Sequence, residues 1–338
     1  MYLTSVGMIC PVGRSAAAAC AAMRAGIANF EELPYHDNHG EPIIGAVVPS
    51  LDQHMTRKRR LTELLAAAVK ECLGEEPACR PEQMAVLVGL AEPWRPGSGS
   101  AWAEDILEDV QQELNVNFHP AWRRAFPTGH TAGFAALQAA QEMLQDHGVA
   151  ACLVCAVDSY ICAATLHWLD ENYRLKTPAN QHALIPGEAA AAVLVQREAT
   201  NATVKVIGLG SGKEKANVLS DEPLLGLGLT AAARAALAQA HLGFHDIAWR
   251  LSDVTGEPYG FKELPLLEGR LLRVTLETQP VWHWAECIGD TGAAAGLAQL
   301  VLADQAFRKS YAPGDTAMCL TSSVSGDRFA AVLRRHPR

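Results

Sequence analysis

His130 and Asp290 each open a helix whose flank is almost bare of side chains. The run 129–144 reads GHTAGFAALQAAQEML, and its Gly133, Ala135, Ala136, Ala139 and Ala140 leave room for another backbone to lie close. The run 289–300 reads GDTGAAAGLAQL and matches the first at Gly129/Gly289, Thr131/Thr291, Ala135/Ala295 and Leu137/Leu297. Backbone N–H groups without partners point out of a helix N-terminus, and the dipole makes that end positive. Enzymes place a thiolate, an anion or an oxyanion there. An imidazole in that position, oriented by a carboxylate, could serve as a general base. The repeat predicts a duplicated architecture in which the two smooth helices pack together, with His130 and Asp290 at their N-terminal ends.

Other reactive side chains are less well placed. Thr131 and Thr291 are nearby hydroxyls, but the chain has no GxSxG elbow. Cys152 and Cys155 form a CxxC inside an apolar strand, where positions three apart face opposite sides, so zinc or redox use is not expected. Nine dispersed cysteines suit reduced thiols in a cytoplasmic protein. SAAAAC at 15–20 lacks a basic segment before it and is not read as a signal peptide. The net charge of −9 argues against a nucleic-acid partner, and no apolar span reaches membrane-helix length.

The elements that must position these residues follow from periodicity and punctuation. At 338 residues, 49% hydrophobic and 19% charged, the chain suits an α/β protein of two fused halves, 1–200 and 201–338, with a seam near Arg197 to Ala202. Strands are predicted at Met1–Met8, Ile43–Val48, Met84–Leu90, Trp122–Phe126, Val149–Val157, Ile185–Val195, Thr203–Gly208, Ile247–Val254 and Gln279–Trp284, before a final hairpin over Ala317–Arg334. Helices are predicted at Ser15–Gly26, Arg59–Cys72, Trp102–Leu114, Tyr160–Asp170, Thr230–His241 and Phe261–Gly269, besides the two smooth ones. The alternation implies a mostly parallel sheet covered on both faces.

These segments, in this order, resemble the β-ketoacyl-acyl-carrier-protein synthases of the thiolase-like superfamily. GMICPVGRSAAAACAAMRAG is similar to their first strand, turn and helix, and GHTAGFAALQAAQEMLQDHGVAACLVCAVDS to their nucleophile elbow, buried helix and next strand. IPGEAAAAVLV resembles their GEGA segment, DVTGEP their HGTGT loop and CIGDTGAAAG their GHxxGAAG helix. The resemblance implies a thiolase fold, two similar halves in a five-layer α/β/α/β/α stack. It also implies a dimer that pairs the strand before the nucleophile across a two-fold axis, here AWRRAFP.

The residues that carry the family's chemistry differ. Its nucleophilic Cys falls on His130, and its two His fall on Asp253 and Asp290, 37 residues apart. Its Lys falls on Ala285, and its GFGG loop on SSVSGDRF. Thr255 and Glu257 fall where a phosphopantetheine arm enters, and a carboxylate at Glu257 stands against an acyl carrier protein as partner. Imidazole is a poor store for an acyl chain, and two carboxylates would repel an enolate where two neutral His should stabilise it. The sequence therefore predicts a pseudoenzyme with no cofactor. It would act by protein binding, as a homodimer or with a heteromeric partner, either as the partner subunit of a synthase or as a type VI secretion adaptor. The alternative is an acyltransferase or hydrolase with a rebuilt His130, Asp253, Asp290 site. One His with two carboxylates is too sparse for a metal site. His130 is expected to sit charged between both aspartates, since a carboxylate in contact outweighs a helix dipole.

Overall fold

The computed structural model describes residues 1–52, 55–75, 79–98, 105–199 and 202–336. The first half runs β1 (Tyr2–Ile9), α1 (Ala16–Arg24), β2 (Glu31–His36), β3 (Pro42–Gly45), α2 (Arg57–Leu73), β4 (Met84–Gly89), α3 (Asp105–Leu114), β5 (Arg123–Phe126), α4 (Ala132–Met143), β6 (Ala151–Ser159), α5 (Ala163–Glu171) and β7 (Glu188–Gln196). The second runs β8 (Val204–Lys213), α6 (Leu227–Ala240), β9 (Trp249–Ser252), α7 (Pro258–Leu271), β10 (Val281–Trp282), α8 (Ala285–Ile288), α9 (Ala295–Arg308), β11 (Thr316–Ser322) and β12 (Asp327–Arg335). Local chemistry sets several ends. Ser15 and Thr56 cap α1 and α2 by accepting from Ala18 N and Arg59 N, and Gly74, at φ 65°, ends α2. Residues 200 and 201, where the halves were expected to join, and 102–104, where a helix was expected to begin, lie outside the described residues.

Ten of the described strands form one sheet in the order β10-β9-β11-β12-β8-β1-β7-β6-β4-β5. It reads as two equivalent sets of five. β5-β4-β6-β7-β1 and β10-β9-β11-β12-β8 have the same sequence of parallel and antiparallel neighbours. Only Tyr2↔Lys205 and Leu3↔Val204 pair one set with the other. The expected mostly parallel sheet is therefore corrected to a mixed one. Only β4, β5, β6 and their counterparts β9, β10, β11 are parallel, because β7 returns antiparallel between β1 and β6, and β12 turns straight back on β11. β2 and β3 form a separate two-stranded ribbon, which the Pro34-containing segment EELPYH did not signal.

Burial follows the layers. α2 and α3 cover the outer face of the first set of strands, with Leu64, Leu65 and Val69 against Val86 and Leu153. α6 and α7 cover the second, with Leu229, Ala233 and Leu267 against Met318 and Val332. Between the two inner faces lie α4 and α9, packed with residues of both sets: Phe134, Leu137, Leu297 and Leu300 share a core with Ala85, Val154, Val193, Leu251 and Cys319. This is the α/β/α/β/α stack. The helix–helix contact depends on Gly133, where a Cβ would lie 2.8 Å from Leu297 Cγ. Gly133→Leu should therefore lower stability by about 2–3 kcal/mol through overpacking, read as a lower urea midpoint with circular dichroism detection. An unchanged midpoint would mean that the two helices are not in contact.

Candidate functional site

The approach of α4 and α9 brings their N-terminal ends together. His130 lies in a single 3-10 turn, Gly129–Thr131, immediately before α4. Gly129 has φ 63° and packs against the Glu92 carboxylate, so a side chain there would be both strained and obstructed. Asp290 precedes the matching turn Gly292–Ala294 before α9. Its backbone is fixed by the segment entering β7: Asp290 N donates to Ile185 O at 2.8 Å and Gly187 N to Asp290 O at 3.0 Å. His130 Nε2 meets Asp290 Oδ1 at 2.8 Å, and the same oxygen accepts from Gly292 N at 2.9 Å. Both side chains are buried.

Asp253 follows β9 and faces the same cavity, but it makes no hydrogen bond to His130 among the described residues. Its Oδ2 accepts from Ser322 N at 2.8 Å instead. The expectation of an imidazolium held between two aspartates is corrected in this respect: Asp290 pairs with it, and Asp253 stands across the cavity on the β11 backbone. Glu257 is also not a free carboxylate. Arg174 grips it through Nε and a terminal nitrogen at 2.7 and 2.8 Å, and Thr255 Oγ1 lies 3.4 Å from it. Arg174 carried no sequence signal of its own, since it sits in a polar loop. The cavity these groups line is about 50 Å³, room for ordered water, whereas ligand pockets commonly run to about 300–1,000 Å³.

Nucleophiles are poorly placed. Thr131 donates to Thr128 O at 3.0 Å and Thr291 is buried, and neither lines the cavity. Ser322 and Ser323, which do line it and were not singled out in the sequence, point their hydroxyls at Glu263 and Glu92. Glu263 is itself bound by Arg328 at 2.7 Å, which weakens it as a base. No cysteine lines the cavity; Cys152 faces the middle layer and Cys155 the outer one, and burial pushes both thiols up to about 12. Among the described residues, no three potential metal ligands cluster.

The charge states follow from these contacts. Burial by itself would lower the His130 pKa, but the Asp290 carboxylate in contact, helped by Asp253 and Glu92, raises it to about 9. Burial also opposes the charge on Asp290, and the His130 imidazolium with the Gly292 N–H holds its pKa below the ordinary value. Asp253 has no such contact. Burial raises it to about 7, only partly offset by His130 and the Ser322 N–H. His130 Nδ1 and one terminal nitrogen of Arg174 are buried without partners among the described residues.

Solved structures share this fold over essentially the whole chain. An ishigamide ketosynthase/chain length factor matches with a TM-score of 0.74 at 19% identity, covering 99% of each chain. A ketosynthase in complex with its chain length factor from Xenorhabdus doucetiae matches at 0.75 and 15%, covering 99% of this chain and 98% of that one. A β-ketoacyl synthase from Burkholderia phymatum matches at 0.75 and 16%, covering 99% of each. At these identities the likeness is one of fold. No family model matches the chain, and no curated protein does.

The ion pair has a definite pH signature. The folded pKa of His130 is raised above the unfolded value of about 6.5, so its pairing contributes stability that is fully present below that pH and lost as pH rises through about 9. His130→Ala should cost about 3 kcal/mol at pH 6 by leaving Asp290 buried and unpaired, and the gap to the parent should narrow toward pH 10. Urea titrations across that range measure it, and a constant gap would contradict the pairing.

Proposed function

We propose that this chain is a ketosynthase-fold subunit without condensation chemistry, which acts by associating with another protein. The observation that carries this reading is the buried His130–Asp290 ion pair at the start of the smooth helix, in a cavity of about 50 Å³. An imidazolium already paired is neither a nucleophile nor a free base. Asp290 is held as a carboxylate, and Asp253 is only partly protonated near neutral pH, where condensation needs two neutral donors to an enolate oxygen. The Arg174–Glu257 pair adds a bidentate, buried clasp on the loop that would have to admit an acyl-bearing arm.

The similar solved structures supply the kind of role. One is described as a ketosynthase/chain length factor and another as a ketosynthase in complex with its chain length factor. A partner-subunit role is therefore proposed here rather than a secretion adaptor, for which neither the site nor those structures offers support. The exposed edge of β5 is the proposed docking edge. It ends the sheet, and Arg124 on it is exposed. Like charges placed opposite one another across a strand pair are destabilising, so Arg123 and Arg124 favour a different, less basic strand over a second copy. Light scattering at micromolar concentration distinguishes these: a dimer would show self-pairing, and a monomer would leave the edge to another subunit.

The chemical half of the proposal is tested by intact-mass measurement after incubation with acyl- and malonyl-carrier protein. No adduct is expected on the natural chain, and no condensation product is expected from it or from His130→Cys, because Asp253, Asp290 and Ala285 remain. An acyl adduct on the natural chain, or a condensation product from either form, would put a rebuilt acyltransferase or hydrolase site first.

A further inference from the structure

A second cleft, of about 380 Å³, lies away from the ion-paired site, between the C-terminal end of α1, the strand β10 and the far end of α9. Its walls are apolar, with Met23, Val281 and Leu302 beside three aromatic rings. Trp282 and Tyr311 are nearly parallel, at 20° with centroids 6.1 Å apart, and Trp284 adds a third ring. Trp282 is held from behind by the fully buried Trp249, 4.5 Å away between centroids, so this apolar face is pre-formed and rigid. The charges at the rim are unequal. Glu286 is already paired with His283, whose Nδ1 lies 2.6 Å from its carboxylate, and that contact raises the imidazole's pKa. Arg24 lies over the Tyr311 ring, its guanidinium carbon 4.3 Å from the centroid, and has no carboxylate partner among the described residues. A guanidinium held over a ring without a carboxylate partner keeps N–H donors available for a planar anion.

We propose that this cleft binds a small aromatic carboxylate, with its ring on the Trp282–Tyr311 face and its carboxylate on Arg24. The volume falls in the range of small-molecule sites, about 300–1,000 Å³. Flat π faces favour a planar ring over an alkyl chain. The one rim charge without an ion-pair partner among the described residues is the Arg24 guanidinium, which favours an anion over a cation. This inference is independent of the partner-subunit reading, because none of the residues named here lines the His130 cavity.

Titration of the full chain with 2-naphthoate, read by the anisotropy of the probe's own fluorescence, tests it. Saturable binding is expected, with 2-naphthalenemethanol, read by competition, and decanoate each weaker by about tenfold or more. Arg24→Ala, at an exposed position, should weaken naphthoate by about tenfold and leave the alcohol unchanged. Tyr311→Leu should weaken both, with circular dichroism confirming that each variant is folded. The proposal is overturned if naphthoate fails to saturate by about 10 mM, if Arg24→Ala binds it as the parent does, or if decanoate binds equally well.

Discussion

The contact between α4 and α9 is the constraint on which the site depends. Gly133 lets Leu297 seat against the α4 backbone, and Gly296 in turn lies 3.4 Å, measured from a built Cβ, from His130 O. Two helices that approach this closely, from equivalent positions in two equivalent halves, bring two positive N-terminal ends to one place. That field calls for negative charge. In an acyl-transfer enzyme a thiolate and a transient oxyanion answer it. Here resident carboxylates do: Asp290 accepts from Gly292 N, Asp158 accepts from Ala293 N, and Glu92 rests against Gly129. At the α9 end the first N–H groups are already satisfied by carboxylates.

Those carboxylates bring their own cations. Arg95 pairs with Asp158, Arg60 with Glu188, Arg174 with Glu257 and Arg328 with Glu263, all with little exposure. Buried ion pairs are weak sources of net stability, because desolvation offsets most of their attraction, but breaking one is costly. Their effect is to hold the surrounding loops in a single arrangement. Asp253 is the exception. It has the neighbouring charge of His130 but no cation in contact, and its carboxyl is accordingly the one pushed up to about 7.

The sequence made the fold legible where pattern and packing coincide. Bare flanks at 129–144 and 289–300 identified two buried helices, and the motif order identified the stack. The mixed direction of the sheet was not legible, since β6 and β7 are both continuous apolar runs and periodicity does not report strand direction. β2 was missed because a Pro-containing, half-polar segment looks like a loop. In the site, His130, Asp253 and Asp290 were locatable because each stands beside a recognisable Gly or Thr turn. Arg174 and Ser323 were not, because each reaches the cavity from a loop whose path only the tertiary structure sets. His130 pairs with one aspartate rather than two, and Asp253 accepts from the Ser322 N–H, a backbone donor with no sequence signature.

The sheet pairing of β1 bears on how the polypeptide matures during synthesis. Tyr2 to Ile9 pair with residues 190–196, and Tyr2 and Leu3 also with Lys205 and Val204. β1 therefore waits for most of the first half to be translated after it before it has a neighbour. Among the described residues β1 and β8 join the two sets of strands through two residue pairs, and the Pro186–Asp290 bridge adds one more contact ahead of α9, so the halves depend also on the packing of α4 and α9, and α9 follows all of the first half in the chain. Such distant pairings are slow to form and leave apolar strands uncovered in the meantime. For this nascent chain, protection by a chaperone or by an already folded partner would matter most in the interval before residue 308 emerges.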